Sequence, residues 1–184
     1  MEPVELPPMK SDEEIAAIQA GKAKWACTGH KLDYANRAWI QPGQWDTAKM
    51  QAENEKAAAL YASWEKDVQV EEYLVEDAEV VIAAYGVSAR IGKSVVELCR
   101  AAGKKVGLIR PITVHPFPYA AFDHINYGVC KAVLDVEMSI PAQLVQDVAM
   151  GVKGRCPVET CLCSGGNIMS REAVLRAVDA ILDK

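Results

Sequence analysis

The chain has 184 residues, of which 51% are apolar and 24% charged, with a formal net charge of −5. That apolar share supports a packed core, and the length suits one domain with an added arm. The acidic balance argues against nucleic acid or an anionic membrane as partner, and no run of about 18 apolar residues exists to span a bilayer.

The opening "MEPVELPPMKSDEE" has no basic segment followed by an apolar stretch, so no signal peptide is visible and a cytoplasmic location is expected. Cys27, Cys99, Cys130, Cys156, Cys161 and Cys163 then read as reduced thiols. Two regions differ in character. Residues 1–66 are polar, tryptophan-rich and irregular and read as an N-terminal arm with helices packing on the domain; residues 67–184 read as an α/β domain.

In the arm, the Pro-rich "VELPPM" is extended, and Ser11 with Glu14 fits a capping box opening a short helix that stops near Gly21. Residues 22–44 read as irregular, with short strands at Trp25–Cys27 and Ala38–Ile40. From Asp46 a helix runs to about Lys66. Its residues Met50, Ala57, Leu60, Tyr61 and Trp64, continued by Val68, form one apolar stripe that should pack on something.

A short edge strand is expected near Glu71–Val75. "AEVVIAAYG" (Ala78–Gly86) is nearly all apolar, as a strand buried on both faces should be. Ser88 can cap the next helix, whose apolar residues are Ile91, Val95, Leu98 and Cys99, with Gly103 at the left-handed cap. Lys104–Arg110 is a strand. "PITVHPFP" (Pro111–Pro118) carries three prolines in eight residues and is therefore loop. A short helix near Tyr119–Asn126 precedes the strand Lys131–Glu137. Pro141 suits the first turn of a helix to about Val152, with Leu144, Val145 and Val148 inward. Val158–Cys163 is a strand and "SGGN" a turn. Ser170 with Glu172 starts the last helix, through Val174, Leu175, Val178 and Leu182. Strands alternating with amphipathic helices imply βαβ units and a mainly parallel sheet.

Several motifs bear on chemistry. "YGVSARIGKS" (Tyr85–Ser94) resembles a phosphate-binding loop, but five residues separate Gly86 from Gly92 where such a loop needs four, and Lys93 falls inside a helix. A dinucleotide fingerprint fits less well still, because only Gly86 and Gly92 are there, at the wrong spacing. Cys156, Cys161 and Cys163 form C-x4-C-x-C, whereas metal and cluster sites use C-x2-C turns; on a strand these thiols read as small apolar residues. His115 lies on the proline-rich loop just beyond a strand's carboxyl end, where open α/β sheets place functional groups. Arg110 and Glu137 also end strands, with Gln143 near the same crevice. The arginine and the acid either form an ion pair supporting the loops or face a ligand or partner.

The run "EDAEVVIAAYGVSARIGKSVVELCRAAGKKVGLIRPITVHPFP" followed by "KAVLDVEMSIPAQLVQDV" resembles the C-terminal region of the large subunit of 2-oxoacid:ferredoxin oxidoreductases, most closely the 2-oxoisovalerate and 2-oxoglutarate types. "GLIRPITVHPFP" is the most specific part, and the likeness reaches back through "WACTGH" and "PVELPP". It implies a transketolase C-terminal-like domain: a three-layer α/β/α sandwich with five strands in the order 1-3-2-4-5, the first antiparallel. It also implies a complex that converts a 2-oxoacid and coenzyme A to acyl-CoA and CO2 while reducing ferredoxin. Thiamine pyrophosphate, Mg and iron–sulfur clusters would sit on other domains or subunits. His115 stands where an aromatic residue is expected, and "MSIPAQ" lacks a glycine expected before Gln143.

The resemblance carries no catalytic, cofactor-binding or metal residue onto this chain. The expected role is a non-catalytic assembly domain whose candidate interface comprises Arg110, His115, Phe117, Glu137 and Gln143, with homodimerisation in isolation as one outcome. Two alternatives stay open: a stand-alone phosphate- or nucleotide-binding protein using the Gly86–Ser94 turn, and a scaffold or regulatory domain detached from its enzyme.

Overall fold

The computed structural model describes residues 6–22, 43 and 45–184. The strands expected at Trp25–Cys27 and Ala38–Ile40 lie outside the described residues, as does Cys27. The chain divides into two compact units, Met1–Lys56 and Ala57–Lys184, with the division inside the second helix and earlier than the sequence boundary at residue 66.

In the first unit, α1 spans Asp12–Lys22 and begins with the expected reciprocal cap. The Glu14 amide donates to Ser11 Oγ at 3.2 Å, and the Ser11 amide donates to the Glu14 carboxylate at 2.8 Å. Helix α2 spans Thr47–Ser63. Asp46 starts it by accepting from the amides of Ala48 and Lys49 at 3.0 and 3.2 Å. A 3-10 turn, Trp64–Asp67, follows within the second unit. Within the second unit, Leu60 and Tyr61 of the apolar stripe are exposed, and Trp64 is only partly covered. Periodicity describes which residues share a face, and says nothing of whether that face is covered.

The second unit is built on a five-stranded sheet in the order β1-β3-β2-β4-β5. The strands are β1 Val70–Tyr73, β2 Val80–Ala83, β3 Val106–Pro111, β4 Ala132–Glu137 and β5 Val158–Leu162. Strand β1 pairs antiparallel to β3, and all other pairs are parallel. Order and direction are those the resemblance implied. One face carries α3 Gly86–Ala101 and α5 Arg171–Leu182 over Val80, Ile82, Leu108, Leu134 and Val136. The other carries α4 Val145–Val152 and the 3-10 turn Tyr119–His124 over Val81, Ala83, Ile109 and Val133. Two-faced burial explains the unbroken apolar run of β2 and the mostly apolar run of β4, which is interrupted by Asp135.

The N-cap of α3 and the start of α4 differ from the sequence reading. Tyr85, not Ser88, is the N-cap of α3; Ser88 is buried inside its first turn, and Gly86 makes the entry at φ +55°. The inward face of α3 runs through Ala89, Gly92, Val95, Val96 and Cys99, which leaves Leu98 exposed. Pro141 lies before α4, which starts only at Val145. The left-handed Gly103 (φ +78°) follows α3 as expected, and Ser170 caps α5 by accepting from the Ala173 amide at 3.1 Å.

The link from β1 to β2 is clamped from α3. Arg100 donates to the carbonyls of Leu74 (2.7 Å) and Val106 (2.8 Å) and pairs with Asp77 at 2.7 Å. Leu74 itself turns at φ +53°. Its carbonyl passes so close to Gly107 that a Cβ added there would lie 2.5 Å from Leu74 O and 3.0 Å from Val75 Cα. Both obstacles are backbone, held by Arg100. We therefore expect Gly107→Ala to destabilise the fold by about 1–3 kcal/mol in urea unfolding. Gly92→Ala, whose Cβ would meet only the Ile82 side chain at 3.2 Å, should cost less.

Candidate functional site

In an open α/β sheet the functional crevice lies beyond the carboxyl ends of the strands, where the strand order reverses. Here that point lies between β2 and β4. Glu137, the last residue of β4, is 1% exposed and turned toward α4. Its carboxylate accepts from the amides of Gln143 (2.9 Å), Leu144 (2.8 Å) and Val145 (3.3 Å), and from Ser139 Oγ at 2.7 Å. It thus fills the N-terminus of α4, where unpaired amides and the helix dipole favour an anion. Burial pushes its pKa up, but hydrogen bonds from Asp135, Ser139 and the amides of Leu144 and Gln143 outweigh that and hold it below the ordinary range.

Arg110 does not pair with Glu137. Strand β2 lies between their strands, and Arg110 points to the opposite face of the sheet. It binds Glu71 of β1 at 3.0 Å, and Lys93 of α3 binds the same carboxylate at 2.6 Å. The Lys93 hydrogen bond depresses the Glu71 pKa, burial opposes it, and Arg110 adds to the depression. Lys93 Nζ also lies 4.9 Å from the Tyr73 ring centre. The Gly86–Ser94 turn is therefore not a phosphate cradle. Gly92 sits within the helix, where its missing Cβ lets α3 pack on Ile82 and Leu108, and Lys93 is committed to Glu71.

The loop after β3 distributes the remaining candidates. His115 is exposed and lies edge-on to Trp64 (5.9 Å between ring centres) and Tyr61 (6.2 Å). Phe117 is buried, stacked against Phe122 at 5.8 Å. Gln143 is exposed while its amide is held by Glu137. Of the five candidate interface residues, Phe117 and Glu137 are thus interior and the other three reach the surface at least in part. The same loops expose Ile112, Val114 and Ile140 at 49, 54 and 61%. His124, which carried no role in the sequence reading, pairs with Glu72 of β1 at 2.8 Å, and that hydrogen bond raises its pKa.

Among the described residues, the cysteines do not converge on one point. Cys161 Sγ lies 3.8 Å from Met169 Sδ, and Cys163 Sγ donates to the Asn167 carbonyl at 3.5 Å. Cys156 instead neighbours Cys130, whose pKa rises through that contact and through burial. One residue went unnoticed in the sequence. Asp135, in the middle of β4, is 0% exposed, and neither carboxyl oxygen accepts a hydrogen bond. An acid in the middle of an otherwise apolar strand, two residues before Glu137, was the available signal.

Comparisons with known proteins follow the same lines. Residues 78–174 match the family described as pyruvate:ferredoxin oxidoreductase core domain II. The chain is 43% identical over 127 residues to the ketoisovalerate oxidoreductase subunit VorB of Methanothermobacter marburgensis, which covers 69% of this chain and 34% of that protein. It thus spans about a third of the length of that curated relative. Among solved structures, a 2-oxoglutarate:ferredoxin oxidoreductase from Magnetococcus marinus superposes with a TM-score of 0.63 at 22% identity, over 76% of this chain and 24% of that one. A split-gene transketolase gives 0.52 at 18% identity, over 62% of this chain and 41% of that one. At these identities the two structures establish the fold.

Two outcomes are expected from this geometry. Glu137→Gln, which removes the charge that the α4 amides face, should lower stability by about 1.5–3 kcal/mol in denaturant titration. The His124 ring should titrate above an ordinary histidine. Because its folded pKa is raised, the stability it contributes is present in full below the unfolded value and fades as pH rises through the folded one. Proton NMR should place the His124 midpoint lower in Glu72→Gln.

Proposed function

Because the chain belongs to the pyruvate:ferredoxin oxidoreductase core domain II family, we propose that it is an assembly domain of a thiamine-pyrophosphate-dependent 2-oxoacid:ferredoxin oxidoreductase, non-catalytic by itself. The whole complex, in this reading, converts a 2-oxoacid and coenzyme A to acyl-CoA and CO2 and reduces ferredoxin. The likeness to VorB makes a branched 2-oxoacid such as ketoisovalerate the first substrate to try.

The observation that carries the reading is the character of the strand-end loops. Their charged groups at the strand ends are engaged inside the chain, Glu137 on α4 and Arg110 on Glu71. Their apolar side chains Ile112, Val114 and Ile140 are exposed instead. Such a surface suits packing against a neighbouring domain or subunit better than chemistry on a small molecule. A second copy of the chain would meet the same surface in isolation.

Among the described residues, the two motifs that could be weighed do not fit the cofactors of such a complex. Close packing of Gly92 on Ile82 and the Lys93–Glu71 pair leave no cradle for a diphosphate and its Mg2+. Cys161 and Cys163 are turned to Met169 and to a backbone carbonyl, which does not suit cluster ligation. Thiamine pyrophosphate and iron–sulfur clusters accordingly belong, in this proposal, to other domains or subunits, and no chemical step is assigned to this chain.

The test has two parts. The chain alone, supplied with thiamine pyrophosphate, Mg2+ and 2-oxoacids, should give no dye reduction, because the cofactor supplies the chemistry. Mixed with thiamine-binding subunits of such a complex, it should co-elute with them, and Val114→Asp combined with Ile140→Asp should abolish co-elution without unfolding the chain. Turnover by the chain alone, or co-elution unaffected by the double variant, would overturn the assignment.

A further inference from the structure

The pair at the end of β4 supports an inference independent of the proposed function. Asp135 and Glu137 are two residues apart on one strand, so both side chains project to the same face, toward α4. Each carboxyl group lies close enough to the other to shift its pKa. Both are fully buried, yet their surroundings are opposite. Glu137 meets only donors: three backbone amides and the Ser139 hydroxyl. A group with that environment is an anion. Asp135 receives no donor on either oxygen. A bare, buried carboxylate beside a second carboxylate is the costliest arrangement available, and protonation removes the cost. The acid then has a hydrogen to donate, and the neighbouring acceptor is Glu137. A carboxylate has about four lone-pair sites, enough for its amide and hydroxyl donors and one O–H.

Among the described residues, no other charge is placed to settle Asp135. Its strand neighbours are Ala83 of β2 and Thr160 of β5. The charged residues of the elements covering this face are engaged elsewhere: Asp147 of α4 accepts from Tyr119, Asp123 pairs with Lys153 and Arg155, and His124 pairs with Glu72. Glu159 of β5 pairs with Lys184. Burial, then the Glu137 hydrogen bond and charge, raise the Asp135 pKa to about 8.

We propose that Asp135 and Glu137 form a one-proton site, with the Asp135 acid donating to the Glu137 carboxylate, and that opening of the strand-end loop 138–144 is coupled to release of that proton. When the loop opens, the Gln143 and Leu144 amides leave Glu137, water reaches the pair, and Asp135 ionises as an ordinary aspartate. The sign follows from the two states. The closed form holds one proton more than the open form between the ordinary aspartate range and about pH 8. Rising pH therefore favours opening throughout that window, by up to tenfold per pH unit, and adds nothing above it.

Hydrogen exchange of the Gln143, Leu144 and Val145 amides in the full chain tests this, with the intrinsic pH dependence of exchange divided out. In the wild type the opening constant should rise with pH and level off near pH 8. In Asp135→Asn, which keeps the shape and a donor but cannot ionise, the rise should vanish. Infrared spectroscopy of the wild type at neutral pH should show the carbonyl stretch of a buried carboxylic acid, absent from the variant. A wild-type opening constant that ignores pH would overturn the proposal, whether or not Asp135→Asn folds. So would a rise that persists in a folded Asp135→Asn, or the lack of a carboxylic-acid band.

Discussion

The arrangement at the carboxyl end of the sheet depends on one buried anion, Glu137, and the amides it holds. Taking a carboxylate out of water costs several kcal/mol even after relaxation. The charge is retained because α4 presents its free amides to it, and each hydrogen bond to a charged group contributes about 1.5–3 kcal/mol. The same bonds decide where α4 begins. The amides of Gln143, Leu144 and Val145 converge on the carboxylate, so the chain from Met138 must loop out and return before the helix can start. An open α/β sheet ordinarily offers this helix terminus to a ligand. Here the chain's own side chain occupies it, which turns a potential anion site into a structural joint.

The sheet order sets what the other charged groups can do. With β2 central, Arg110 on β3 and Glu137 on β4 are separated by a full strand and face opposite layers. Arg110 therefore joins Glu71 and Lys93, stitching β1, β3 and α3 together on the α3 side. On the α4 side, Glu72 with His124 and Asp147 with Tyr119 connect β1 and α4 to the 3-10 turn. These exposed or half-exposed pairs contribute little individually. Most of the stability must come from the two apolar layers, which explains why Gly92 and Gly107 matter: each permits a close approach that brings a layer or a connection onto the sheet.

Much of this was legible in the sequence because it is local. The Ser11–Glu14 box, the Ser170 cap, the glycine after α3 and the apolar runs of β2 and β4 are patterns that neighbouring residues complete among themselves. Strand order was not legible from periodicity; it came from the likeness to a family. The misplaced features share a cause. Pro141 looked like a helix start because proline suits a first turn, but the real cap is supplied from six to eight residues upstream, across a loop. The Arg110–Glu137 pairing presumed adjacent strands. In each case the deciding contact is non-local.

Asp135 shows how far the same reasoning goes. In isolation it is an error in an apolar strand, since a buried acid without donors destabilises a fold. Next to Glu137 it becomes intelligible. Glu137 must remain charged to hold α4, and a charge that deep needs every lone pair used. A neutral acid two residues earlier on the same strand supplies one more donor from below, where no backbone amide is free to point because β4 is paired on both edges. An asparagine could donate there too, but would leave a second N–H unpaired beside its carbonyl, where the acid leaves only its carbonyl. A leucine would leave the carboxylate one donor short. The acid thus meets a need created by its neighbour, at the expense of tying the joint between β4 and α4 to a proton.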